Sequence, residues 1–216
     1  CTYLDFPVVS GNVSFYNETQ NRSISPTPTI GGVGLIKNLD DMITKNLKEI
    51  GSFIFVVGKT LGHLYQSEFF REVVKINEGS PPEINLFNEK SNGLIVQKLI
   101  SKKLVNSVHD ISSGGILVAL TEMCVSGNIG AKIKIPHNNI DSHKYLFGED
   151  QSRYLIEISE KNKDKAINFL QKNSIYYEAI GMTQKDSLDL DNEFKINLAD
   201  LNEWRSFWFK NYFKEN

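Results

Sequence analysis

Leu104-Val105-Asn106-Ser107-Val108, then His109-Asp110-Ile111-Ser112-Ser113-Gly114-Gly115, then an apolar run to Gly127 form the stretch on which the fold turns. The first five residues read as a strand. In the apolar run, Ile116, Ala119, Leu120 and Met123 fall at i, i+3, i+4 and i+7, and Glu122 is the only charge between Ile111 and Gly127. That pattern predicts a helix that is largely buried and so must lie against another layer. Between strand and helix stand two serines and two glycines. Two readings stay open there: a serine N-cap with glycines for close packing, or free backbone N–H groups that seat an anion with the helix dipole behind them.

Working outward, Gly51-Ser52-Phe53-Ile54-Phe55-Val56-Val57-Gly58 is a continuous apolar run of strand length, which predicts a central strand buried on both faces. Residues 66–74 suit a short helix. Gly79-Ser80-Pro81-Pro82 breaks the chain before a longer helix over 83–103, where Ile95 with Leu99 and Val96 with Ile100 sit at i,i+4. Beyond the central unit, Ala131-Lys132-Ile133-Lys134-Ile135 alternates like a strand with one wet face. Phe147-Gly148-Glu149-Asp150-Gln151-Ser152-Arg153 leads into the strand Tyr154-Leu155-Ile156-Glu157-Ile158. Glu149 and Asp150 read either as a carboxylate pair for Mg²⁺ or as an ordinary acidic pair before a strand. A helix with Ala166, Phe169 and Leu170 on one face follows, then a strand over 176–181 and a hairpin around Asp191-Asn192-Glu193. Asn197, with Asp200 three residues on, suits the cap of a final helix striped by Leu201, Trp204 and Trp208. Strands and helices that mix without strict alternation predict an α+β domain, with helices layered on a mixed sheet.

With 216 residues, 40% of them hydrophobic, the chain can bury a full core and fits one domain plus a piece of another. A net charge of −2 gives no basic field for nucleic acid, and no run is long and apolar enough to suggest a membrane span. Cys1 and Cys124 are the only cysteines. Cys124 lies in the apolar helix, so a buried free thiol in a reducing cytoplasm is expected. Sequons at Asn12, Asn17 and Asn21 stand without any other secretory signal. His109 has no identifiable nucleophile beside it and reads as structural, and His63, His137 and His143 show no metal spacing. The chain opens on Cys1, and its first strand has no upstream partner, so it reads as the carboxy-terminal part of a longer polypeptide.

The candidate functional loop lies at the other end, in Val9-Ser10-Gly11-Asn12-Val13-Ser14-Phe15-Tyr16-Asn17-Glu18-Thr19. A short apolar strand there enters a Ser-Gly-Asn bend. Gly11 permits a positive φ and leaves no Cβ in the way of phosphate oxygens. Asn12 offers a neutral carbonyl oxygen suited to Mg²⁺, and Ser14 a hydroxyl that can donate to an anionic oxygen. Pro26-Thr27-Pro28-Thr29-Ile30-Gly31-Gly32-Val33-Gly34-Leu35-Ile36 then reads as an approach to a second strand. An ordinary turn is the competing reading of the triplet.

Residues 7–36 closely resemble the end of the second ATP-binding domain of the phosphoribosylformylglycinamidine synthase family, within the aminoimidazole ribonucleotide synthetase superfamily. The resemblance continues through Gly58-Lys59-Thr60, Gln66-Ser67-Glu68, Glu78-Gly79-Ser80-Pro81-Pro82, the 109–115 loop and the 147–153 segment. It implies that residues 1–38 end an ATP-binding domain and that residues 39–216 form a carboxy-terminal domain of three layers, helix, sheet and helix. The implied activity is ATP-dependent conversion of formylglycinamide ribonucleotide to formylglycinamidine ribonucleotide with glutamine-derived ammonia: ATP phosphorylates the amide oxygen to an iminophosphate, from which ammonia then displaces phosphate. It implies ATP and Mg²⁺ as cofactors. The implied partners are a small-molecule substrate, the upstream half of the same polypeptide, a glutaminase subunit and a small accessory subunit. Matched to the family's motif, Gly11 contacts ATP, Asn12 binds Mg²⁺ and Ser14 contacts substrate. No catalytic base maps onto this chain, because the family places its catalytic histidine in the first ATP-binding domain, so the piece alone is expected to be inactive. Two alternatives remain: another ATP-using member of the superfamily, such as a selenophosphate synthetase or thiamine monophosphate kinase, or a structural pseudo-dimer module without a ligand.

Overall fold

A computed structural model describes residues 1–13, 17–25, 27–136, 139–191 and 193–213, with Trp208 described by its main chain only. Up to residue 42 every described side chain is exposed. The regular elements there are a turn of 3₁₀ helix at each end and the two-residue strands β1 (Glu18–Thr19) and β2 (Arg22–Ser23), paired antiparallel. The strands expected at 8–13 and 30–36 are not formed among the described residues. A strand needs a neighbour to take its N–H and C=O groups, and this chain brings none to them. The first turn is held to the rest by Lys90 Nζ, which donates to Tyr3 O at 2.9 Å and Asp5 Oδ2 at 2.6 Å.

The ordered body consists of β3 (Phe53–Val57), α1 (Leu86–Ser101), β4 (Ser107–Asp110), α2 (Gly115–Gly127), β5 (Gly130–Ile133), α3 (Ser142–Phe147), β6 (Tyr154–Ile158), α4 (Lys163–Lys172), β7 (Tyr177–Gln184), β8 (Ser187–Leu190), β9 (Phe194–Asn197) and α5 (Leu198–Tyr212). Seven strands form one mixed sheet in the order β4-β6-β3-β7-β5-β8-β9, antiparallel except for the parallel pair β5 and β8. β3 lies inside the sheet, and its side chains divide between two cores, as its unbroken apolar sequence requires. Ile54 and Val56 join α2, α3 and α5 on one face, while Phe55 and Val57 join α1 and α4 on the other. The result is the expected three-layer α+β arrangement.

Boundaries moved where local chemistry was ambiguous. The strand read at 104–108 forms at Ser107–Asp110, so His109 and Asp110 belong to an edge strand rather than a loop. The helix read at 66–74 includes a π-helical stretch at Phe70–Val74. α2 is as buried as its sequence demands, with Ile116, Leu120, Met123 and Cys124 at 0% exposure. Burial pushes the Cys124 thiol up to about 12, so it stays a neutral thiol at ordinary pH. On α5, Leu201 packs into the core, but Trp204 is 60% exposed and Asn197 makes no side-chain cap bond. The Trp208 side chain and Asn192 of the hairpin tip lie outside what the structure describes.

Amide exchange is expected to separate the two parts sharply. Residues 54–57, hydrogen-bonded on both sides, should be protected about a thousandfold or more relative to residues 8–13. Equal protection in the two stretches would contradict the architecture described.

Candidate functional site

A cleft of about 540 Å³ opens where the chain leaves the C-terminal end of β3. Lys59 and residues 61–65 form one wall, Asn85 and Asn88 at the start of α1 another, and Lys144 of α3 closes the side. Its shape begins at Gly58. There φ is +95°, and a Cβ would stand 2.5 Å from Ser152 O, so only glycine lets the two backbones meet.

Past Gly58 the chain wraps around Asp150, which is 5% exposed. Asp150 Oδ2 accepts from the backbone N–H of Leu61 at 2.9 Å and of Gly62 at 2.8 Å, and Oδ1 accepts from His63 N–H at 3.2 Å. Behind it lies Arg153, 1% exposed. Arg153 donates to Thr60 Oγ1 at 3.1 Å, Gly148 O at 2.6 Å and Asp150 O at 3.1 Å, and its Nη1 stands 3.8 Å from Asp150 Oδ2. Burial lowers the guanidinium pKa, while the Asp150 charge favours the charged form. Beside this pair, Glu149 Oε1 accepts from Glu68 N–H and Gly114 N–H, both at 2.8 Å. Asn92 Nδ2 of α1 donates to Ser152 O at 2.9 Å.

Residues 148–153 are thus a staple that ties the cleft wall, α1 and the start of α2 together. These contacts bear on the readings left open in the sequence. The carboxylates of Glu149 and Asp150 are taken up by backbone N–H groups. A serine cap on α2 is not formed: the N-cap is Gly114 at φ 82°, without a side-chain bond, and Ser112 and Ser113 are exposed. The Gly114 N–H at the start of α2 donates to Glu149. Among the described residues, no group of three or more His, Cys, Asp and Glu could hold a metal ion.

What the cleft offers a ligand is modest. Lys59 makes no ion pair among the described residues, Lys144 pairs with Asp141 at 2.9 Å, and His63 Nε2 lies 2.9 Å from Ser80 O. Among the described residues lining the cleft, no hydrogen bond joins a serine hydroxyl to a histidine or carboxylate base. His109 is elsewhere, with Nε2 3.0 Å from Glu122 Oε2 and Nδ1 3.2 Å from Asp110 Oδ1, while Lys45 also pairs with Glu122. That surface network suits the structural reading of this histidine.

The described residues of the loop singled out in the sequence do not line the cleft. Gly11 and Asn12 are exposed and neither lines it. Gly11 does not adopt a positive φ, and a Cβ on it would meet nothing within 4 Å. Ser14 lies outside the described residues. Arg153 and Thr60 are the residues whose importance sequence reasoning missed. Each stood inside a quoted motif, but no periodicity links positions so far apart.

The pattern of the family described as AIR synthase related protein, C-terminal domain, matches residues 49–190. The phosphoribosylformylglycinamidine synthase subunit PurL of Pelagibacter ubique (strain HTCC1062) is 50% identical over 210 residues, covering 97% of this chain and 29% of that protein. The PurL subunit of Rhodopseudomonas palustris (strain BisB5) is 40% identical over 212 residues, again 29% of its length. Among solved structures, T. maritima PurL complexed with FGAR superposes with a TM-score of 0.62 at 17% identity, over 76% of this chain and 30% of that one. At that identity the likeness concerns the fold. The chain spans less than a third of the length of these relatives.

Proposed function

The chain belongs to the family of the AIR synthase related protein, C-terminal domain, and from that premise we propose that it works as part of a phosphoribosylformylglycinamidine synthase. In this reading the whole enzyme converts formylglycinamide ribonucleotide, ATP and glutamine-derived ammonia to formylglycinamidine ribonucleotide, ADP and phosphate, in the cytoplasm. The observation that carries it is 50% identity to the Pelagibacter ubique PurL subunit over 97% of the chain. The relatives are more than three times as long, so substrate, glutaminase partner and small accessory subunit would meet the assembled enzyme rather than this segment alone. A structure described as PurLQS from Thermotoga maritima, similar in fold, supports a multi-subunit setting.

Residues 39–216 serve in this reading as scaffold, and residues 1–38 complete an ATP-binding domain in which Gly11 contacts ATP and Ser14 the substrate. Asn12 contributes one oxygen to Mg²⁺, which neutralises phosphate charge when bound. The described residues alone do not build such a metal site, so its other ligands would come from the rest of the enzyme.

A chimera tests this. When residues 1–216 replace the matching segment of the Pelagibacter ubique subunit, ammonia-dependent formation of formylglycinamidine ribonucleotide should persist within about tenfold. A folded but inactive chimera would sink the assignment. Within that chimera, Asn12→Ala should lower activity and raise the Mg²⁺ concentration needed for half-maximal nucleotide binding. Ser14→Ala should weaken substrate affinity by about 1 to 3 kcal/mol without any response to metal. If both variants match the parent, the opening loop is a turn and nothing more.

A further inference from the structure

We infer that the backbone amides of Leu61, Gly62 and His63, together with the Arg153 guanidinium, form an anion-binding nest that is permanently occupied by this chain's own Asp150 carboxylate. The inference stands on geometry and does not depend on the enzyme assignment. Three consecutive N–H groups converge on the two Asp150 oxygens at 2.8 to 3.2 Å. Successive amides that point into one concavity are the arrangement by which proteins hold external anions. Here the anion is covalently supplied.

Arg153 makes this a charged nest and not simply a capped turn. Its other hydrogen bonds go to neutral acceptors, Thr60 Oγ1 and the carbonyls of Gly148 and Asp150. Asp150 is the only carboxylate recorded within ion-pair range of it among the described residues. A guanidinium at 1% exposure that loses its counter-charge becomes strongly unfavourable, and so does a set of buried amides that lose their acceptor. Removing Asp150 should therefore leave a vacancy with real affinity for a small anion. Asp→Ala deletes one carbon and two oxygens, the size of formate, and Asp150 lines the open cleft, so formate has a path in. For function the consequence is that residues 61–63 have no amide donors left for a cleft ligand. Their hydrogen bonds go to holding the wall in shape.

Thermal melts of the full 216-residue chain with formate provide the test. Asp150→Ala should lower the melting temperature by about 10 °C. Sodium formate at about 100 mM should restore at least half of that in a saturable manner, while sodium chloride of the same ionic strength should not. The parent chain and Asp150→Asn, whose side chain still fills the space, should not respond to formate. The inference is overturned if Asp150→Ala melts like the parent, or if formate shifts parent, Asn and Ala variants alike. Should Asp150→Ala fail to fold on expression, refolding yield from denaturant becomes the readout. A yield that rises with formate supports the nest, and one indifferent to it overturns it.

Discussion

Gly181→Ala is expected to cost the chain about 3 kcal/mol or more, a large part of its stability. β7 lies between β3 and β5, and Gly181 is opposite Ile54 on one side and Ile133 on the other, next to the register shift between Ile54 and Phe55. A Cβ at this position would stand 2.0 Å from Lys132 O and 2.8 Å from Ile133 Cα. Both are backbone atoms of a paired strand, so no side chain can swing away to make room. Either the β5–β7 ladder opens or the bulge is rebuilt, and the cost is at or above the upper end of overpacking penalties, about 3 kcal/mol or more. Against a total stability of about 5–15 kcal/mol, that is a large fraction. Urea unfolding followed by far-ultraviolet circular dichroism should show the loss as a lower midpoint. Gly11→Ala, with open space around it, should remain within about 0.5 kcal/mol of the parent. An unchanged midpoint for Gly181→Ala would mean that the sheet tolerates a side chain where the geometry leaves none.

Gly181 also shows what a sequence can and cannot reveal. Apolar periodicity is a local signal, and it located β3, α2, α4, β6 and the β8–β9 hairpin because each buries a face set by its own residues. It identified Ile54, Phe55, Val56 and Val57 as core on both faces without any knowledge of strand order. The order itself is non-local. Nothing in the spacing says that β6 and β7 flank β3 or that β5 and β8 run parallel. Polar anchoring is non-local as well. Residues 149 and 150 looked like metal ligands or surface charge because carboxylates are usually one or the other. Their actual partners are the amides of residues 61–63, 68 and 114, about 35 to 90 positions away in the chain. The serine cap failed for a related reason. Glu149 took up the N–H of Gly114, and both Gly114 and Gly115 have left-handed φ values; at Gly115 the missing Cβ lets the C-terminal end of α3 pass close by. The legible part of the candidate loop was its resemblance.

Glu157→Ala is expected to cost about 3–5 kcal/mol, although the residue touches neither the cleft nor the candidate ATP loop. Glu157 sits in β6 at 0% exposure, and its carboxylate holds down the segment that leads into β3. Oε2 accepts from Lys48 N–H at 2.9 Å and from Ser107 Oγ at 2.9 Å, and Oε1 accepts from Glu49 N–H at 3.0 Å. Alanine would strand two backbone donors at the point where the exposed amino-terminal stretch joins the ordered body. Glu157→Gln separates acceptor chemistry from packing, because its shape is the same but one oxygen becomes an NH₂ group. The Ser107 hydroxyl can rotate to accept from that group, whereas the amides of Lys48 and Glu49 can only donate, so in either orientation one backbone N–H faces another donor. The glutamine variant should therefore lose about 1–3 kcal/mol, the cost of one unmet buried donor, and the alanine variant more. Exchange at the amides of residues 48 and 49 should rise in both variants before global unfolding does, since these donors lose their acceptor first. If Glu157→Gln is as stable as the parent with residues 48 and 49 still protected, water or a side-chain shift replaces the carboxylate, and Glu157 is not the anchor that its geometry indicates.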